Sequence, residues 1–197
     1  MGLGLSIIPR ASFVPLPWKN GGGMTYQAIR LPPTGDPFLW RVSLAQIDSS
    51  GPFSDFTGYD RNMVLLQGRG IALKFGDGEQ TTLQKVGDWL RFDGGVPVHC
   101  ELLDGPCMDL NLMVSKLMRA AARLERLGGN LQVDAGRGQI TLIFSLEDAL
   151  SIDAGDGKSL RLEPWDLAVL SQGSARLNRM TPDKPAASAV FIATITQ

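Results

Sequence analysis

Histidine is almost missing from this chain: its 197 residues hold one, His99, together with only two cysteines. That scarcity excludes most metal sites built from imidazole and thiolate, and no CxxC pair is present. Charge of one sign is missing too. The 19 basic and 20 acidic residues are interleaved to a net −1, which leaves none of the basic stripe that nucleic-acid binding needs. No run approaches the roughly 18 apolar residues of a membrane span. The opening MGLGLSIIPRASF breaks at Pro9 and Arg10, too early for a signal peptide, and its Gly2–Ser6 spacing matches a myristoylation context only weakly. These absences point to a soluble, cytoplasmic protein without metal or cofactor, and without a nucleic-acid or membrane partner. Cys100 and Cys107 flank a Gly105-Pro106 turn and could bridge across a hairpin; reduced, buried thiols are the expected state in the cytosol.

What is present is punctuation. With 23 glycines and 12 prolines separating short runs rich in Val, Ile, Leu, Phe and Thr, the chain reads as many short strands joined by tight turns. Strands are expected at 38–47, 61–67, 70–75, 79–84, 88–92, 97–103 and 107–114, with Gly76-Asp77-Gly78 as a hairpin turn. Residues 115–130, SKLMRAAARLERLGGN, carry helix-forming Ala, Leu and Arg before Gly128-Gly129, and are expected to form a linker helix. Strand texture then returns at 139–145, 149–153, 158–162, 166–171, 174–180 and 189–196.

The second half echoes the first. Gly76-Asp77-Gly78 recurs as Gly155-Asp156-Gly157, and at the same offset of 79 Ile71 and Leu73 meet Leu150 and Ile152, and Leu83 meets Leu162. One residue then slips, and Asp88-Trp89-Leu90 meets Asp166-Leu167-Ala168. The series implies a duplicated all-β unit, which suits a sandwich or jelly-roll barrel better than a doubly wound sheet. The expected division is 1–118 for the first, ligand-bearing half and 119–197 for the second, structural half, with the N-terminal strands open to sharing.

Duplication supplies an internal control. At offset 79, Arg61, Asn62, Asp109 and Asn111 face Ile140, Thr141, Ser188 and Val190, so polar residues of the first half become small or apolar in the second. Strand alternation puts Arg41, Ser43 and Ala45 on one face, as it does Arg61 with Met63 and Leu65, and Asp109 with Asn111 and Met113. Such faces suit a lined pocket, or equally a solvated outer surface. Two arginines converging on one cavity would bind a carboxylate. In Trp18-Lys19-Asn20-Gly21-Gly22-Gly23 the glycines would let backbone N–H groups approach an anion, with Lys19 adding charge; the plain alternative is a turn. His99 is more often structural at a strand end than a general base.

WKNGGGMT at 18–25, FLWRVSLAQI at 38–47, GPFSDFTGYDR at 51–61 and DLNLMV at 109–114 together resemble the HutD/Ves family of bicupins. The likeness is specific over the first 115 residues, and the second half follows by position. Tyr26-Gln27 stand where the family usually carries acidic residues. The resemblance implies two jelly-roll β-barrels, a cavity for a small carboxylate such as formylglutamate, and a role in regulating histidine catabolism. Lys19, Asn20, Arg41, Ser43, Tyr59, Arg61, Asp109 and Asn111 are the candidate ligand-binding residues, with Asp109 orienting an arginine. A metal-binding cupin motif would need His-x-His and Glu between Gly51 and Gly70; Thr57, Tyr59 and Met63 stand there instead. His99 falls one place out of register with the second motif. A metal-free binding protein is therefore the leading expectation. The alternatives are a metal-free isomerase or epimerase using His99 with Asp109 or Tyr59, and a protein-interaction module. Family analogy adds a homodimer.

Overall fold

The computed structural model describes residues 4–18, 21–155, 159–180 and 188–196. In chain order the strands are Leu5–Ile8 (β1), Val14–Pro17 (β2), Gly23–Leu31 (β3), Trp40–Ile47 (β4), Gly51–Pro52 (β5), Tyr59–Gln67 (β6), Ile71–Phe75 (β7), Gln80–Leu83 (β8), Trp89–Asp93 (β9), Val98–Leu102 (β10) and Cys107–Ser115 (β11). They continue as Arg119–Leu127 (β12), Leu131–Ala135 (β13), Gln139–Ser145 (β14), Leu150–Asp153 (β15), Ser159–Leu162 (β16), Leu167–Leu170 (β17), Gly173–Arg179 (β18) and Ser188–Thr196 (β19). A single 3₁₀ turn, Arg10–Ser12, is the only helical element among the described residues.

The expected linker helix is not formed; its residues make β12, paired throughout with β19 from Arg119↔Thr196 to Leu127↔Ser188. Helix propensity differs by only tenths of a kcal/mol per residue. β19 is buried along most of its length and needs hydrogen-bond partners on both edges. Exposure along β12 alternates with period two from Arg119 to Leu124, so tertiary pairing overrides composition.

The chain divides into two compact units, Phe13–Leu117 and Met118–Gln197 with Met1–Ser12. The N-terminal unit has a six-stranded sheet, β2-β3-β4-β11-β6-β9, and a four-stranded sheet, β5-β10-β7-β8. The C-terminal unit has sheets β1-β17-β14-β19-β12 and β13-β18-β15-β16. β4, β11, β6 and β9 therefore recur in the same order as β12, β19, β14 and β17. β5, β10, β7 and β8 recur as β13, β18, β15 and β16. The two sheets of each unit remain separate in their hydrogen bonding.

Register refines the offset. Arg61 pairs with Met113 and Asp109 with Leu65; the buried faces match when these pairs are set on Thr141–Thr194 and Val190–Ser145. Arg61 thus corresponds to Thr141 rather than Ile140, Asp109 to Val190 rather than Ser188, and Asn111 to Ile192 rather than Val190. The uniform offset fails because turns of different length separate the strands, and each one-residue slip would exchange the faces. The chemistry still holds: the polar set becomes Thr, Val and Ile.

In the N-terminal unit Ile47, Met63 and Leu65 of the larger sheet pack with Ile71, Leu73, Leu83, Val98 and Cys100 of the smaller one. The C-terminal unit closes a fuller apolar core around Ile143, Leu150, Ile152, Ala168, Val190 and Ile192. That core continues through the position of Asn111, where the N-terminal unit turns polar.

Candidate functional site

Antiparallel register places the candidate residues in three cross-strand rows. Asp109 lies between Ala45 and Leu65, Asn111 between Ser43 and Met63, and Met113 between Arg41 and Arg61. Because β11 runs between β4 and β6, the two arginines start two strand spacings apart, roughly 10 Å at the backbone. They lean over a cavity of about 490 Å³, whose wall includes Arg41, Ser43, Arg61, Asp109 and Asn111. Trp18, Thr25, Phe53, Phe56, Met63 and Met113 complete much of the rest. The pocket face is therefore the one formed. The opposite faces are closed as well, with Val42, Leu44, Leu110 and Leu112 all buried.

Arg61 is 5% exposed. Its Nη2 donates to Asn111 Oδ1 at 2.9 Å, and its Cζ stands 5.0 Å from the Phe53 ring, 5.6 Å from Phe56 and 5.0 Å from Phe92. The negative ring faces offset part of the cost of burying the cation. Its Nε–H has no partner, and among the described residues it forms no ion pair with a carboxylate. Burial pulls its pKa down to about 10, against the opposing pull of Asp109, so it stays charged at neutral pH. Arg41 is half-buried and shares the Phe56 ring, at 5.2 Å, while also lying 5.0 Å from Phe38. Its Nη2 reaches Met113 Sδ at 3.2 Å, and its Nε also lacks a partner. Burial and the neighbouring Arg30 lower its pKa. Both guanidinium groups thus border a common aromatic surface with donors unused, a constellation that attracts an anion.

Asp109 does not orient an arginine directly. Asn111 stands between them, accepting from Arg61 and donating Nδ2 to Asp109 Oδ1. The distance along the strand explains this: Asp109 and Arg61 sit two rows apart.

Other candidates fall elsewhere. Tyr59 does not line the cavity; its hydroxyl donates to the Phe38 carbonyl at 2.9 Å and its ring packs 4.3 Å from Phe38, supporting the wall behind Arg41. His99 is exposed on β10, opposite Lys74 and Pro52, because Val98 and Cys100 take the inward positions. The acid–base role considered for it has no access to the cavity. Lys19 and Asn20 lie outside the described residues. The glycines after them serve the β2–β3 connection: Gly21 N–H donates to the Trp18 carbonyl at 3.0 Å, and the Gly22 carbonyl accepts from Asp48 and Ser49. Gly21 has φ of +70°, which favours glycine. Cys100 and Cys107 are free and buried.

A metal does not fit the residues at the cupin motif positions. Thr57 is exposed, the Tyr59 hydroxyl is bound to a carbonyl, and Met63 is a buried wall residue. Among the described residues no three of His, Cys, Asp or Glu come together as ligands. Sequence reasoning missed the aromatic surface of Phe53, Phe56 and Phe92. Phe53 and Phe56 stand in GPFSDFTGYDR, but only the fold brings them over Arg61.

The family model described as HutD matches residues 10–187. The chain belongs to the HutD family. An uncharacterized 21.2 kDa protein in the hutC 3′ region of Pseudomonas putida is 33% identical over 163 residues, covering 82% of this chain and 84% of that protein. Protein Ves of Citrobacter koseri is 32% identical, covering 84% and 92%. The structure of HutD from Pseudomonas fluorescens, in a formate condition, superposes with a TM-score of 0.80 at 29% identity, covering 98% and 100%. The fold of this HutD-family chain is also cupin-like. An oxalate decarboxylase from Lactobacillus farciminis matches with a TM-score of 0.65 at 8% identity, covering 100% of this chain and 86% of that one; that likeness is one of fold alone. No helix among the described residues is long and apolar enough to cross a membrane.

Proposed function

We propose that this HutD-family protein is a metal-free, cytoplasmic bicupin that binds a small carboxylate metabolite of the formylglutamate type in its N-terminal unit. Through that ligand it modulates histidine utilisation. The observation that carries the reading is Arg61, a buried cation in a cavity wall with an unused donor and, among the described residues, no carboxylate in ion-pair contact. Natural cores rarely keep a buried cation without a countercharge in contact, and an anionic ligand supplies one. Arg41 is the second clamp, and Ser43 and Asn111 border the same space. A cavity of about 490 Å³ is of the size that takes small metabolites, and the apolar wall favours a ligand with a carbon skeleton over a bare inorganic anion. The Pseudomonas fluorescens HutD structure in a formate condition supports a carboxylate. The loss of the arginine, acid and amide from the C-terminal unit supports a single ligand-bearing half.

The test is a thermal-shift screen against histidine, urocanate, formiminoglutamate, formylglutamate and glutamate. A ligand at about 100 times its Kd stabilises the native state by roughly 2.7 kcal/mol. A carboxylate should raise the melting temperature, and Arg61→Ala or Arg41→Ala should abolish the shift. The Arg41 variant serves if the buried Arg61 variant fails to fold. No shift at millimolar concentrations, or a shift unchanged in the arginine variants, overturns the reading.

A further inference from the structure

Asp109 is fully buried in the cavity wall, and its two oxygens are treated unequally. Oδ1 accepts from Asn111 Nδ2, whereas Oδ2 has no partner. Asn111 is itself held at its other end, where its Oδ1 accepts from Arg61 at 2.9 Å. An ionised Asp109 therefore leaves one anionic oxygen buried and unsolvated, whereas a protonated one carries an O–H donor in the same wall. A carboxylate drawn in by Arg41 and Arg61 sharpens that contrast, because two carboxylates sharing one site cannot both ionise cheaply. The duplicated unit agrees. Where Arg61 is replaced by Thr141, Asp109 is replaced by Val190, so the acid and the cation are lost together.

We infer that Asp109 is a proton-carrying donor of the ligand site, meeting the bound carboxylate as a neutral acid through Oδ2–H, so that anion binding takes up one proton from solvent. This rests on the carboxylate-binding reading and adds its specificity: the site favours a ligand that accepts a hydrogen bond beside the arginine clamp, and favours it more as the pH falls. The proton passes from buffer to Asp109, and no bond of the ligand breaks. Burial already pushes the Asp109 carboxyl up to about 7, with Arg61 opposing the rise. Among the described residues, Arg61 on β6 and Cys100 on β10 act on it electrostatically, Arg41 on β4 shares its cavity wall, and Cys107 stands two residues before it on its own strand. Burial, with Asp109 adding to it, pushes the Cys100 thiol up to about 12, so it stays neutral. His99 points to the outer face.

The experiment is calorimetric titration of the full chain with N-formylglutamate from pH 6.5 to 8.5, in Tris and in triethanolamine, cationic buffers that differ in ionisation enthalpy. The ligand's own carboxyls, with pKa values of about 4, stay ionised throughout. Uptake should approach one proton at pH 8, and affinity should fall up to tenfold per pH unit above 7. Asp109→Asn, which carries a permanent N–H donor, should bind with no uptake and a flat profile. If that variant does not fold, the wild-type proton count decides alone. Binding without uptake, or a wild-type profile in Asp109→Asn, overturns the proton-carrying role while leaving carboxylate binding intact. Absence of any binding across the range overturns both.

Discussion

Asp109 should cost the ligand-free protein stability as pH rises from about 4 to about 7. In the unfolded chain its carboxyl titrates near 3.8, and in the folded protein near 7. Between these values the folded state holds a proton that the unfolded state has released, so unfolding becomes easier as pH rises. Each pH unit costs about 1.4 kcal/mol, so the whole window amounts to about 4 kcal/mol, with a plateau above 7. Other carboxyls act in the opposite sense. Asp93, Glu101 and Asp134 are held below their usual range by hydrogen bonds from Lys116, Lys74 and Ser174, and their contribution is lost as pH falls. Comparison with Asp109→Asn removes that background, because the variant keeps an oxygen to accept from Asn111. Urea unfolding at pH 5, 6, 7 and 8 should show the wild type losing about 3 kcal/mol relative to the variant between the ends of the series. A difference constant to within about 0.5 kcal/mol would refute the reasoning: Arg61 would then outweigh desolvation, and Asp109 would be ionised throughout.

His99→Ala should change stability by less than about 0.5 kcal/mol and leave carboxylate binding intact, since the side chain is exposed away from the cavity; loss of binding would restore it to the site. Gly23→Ala should destabilise by more than about 2 kcal/mol in urea unfolding, because a Cβ there would run into the Gln46 carbonyl and lie 3.1 Å from the Trp18 ring. A thiol reagent should label Cys100 and Cys107 only as fast as the protein unfolds, since both are no more than 3% exposed and the Cys100 thiolate is suppressed. Rapid labelling of the native protein would contradict their burial.

Strand texture was legible where alternation and turn chemistry agreed. The run at 139–145 forms β14 over those residues, and Gly78, with φ of +92°, closes the β7–β8 hairpin. β3 was missed because its alternation of apolar and polar residues slips at Ala28-Ile29, where the pairing register with β4 shifts. The 115–130 segment misled because local propensity was read without β19, the partner that pays for its extended form. In the site, alternation correctly grouped Arg41 with Ser43, and Asp109 with Asn111. The same alternation could not say whether His99 faced inward, nor that Phe53, Phe56 and Phe92 would gather around one guanidinium.

By itself the amino-acid sequence determined the all-β texture, the duplication and the confinement of the arginine, acid and amide set to one half. These follow from backbone periodicity and turn conformation, which are local properties. Only the tertiary structure decided the register between the halves, the cavity, the removal of Tyr59 and His99 from its wall, and the bridge of Asn111 between Arg61 and Asp109. Those depend on which strand lies beside which and on how far water is excluded. Neither quantity is carried by a segment read alone.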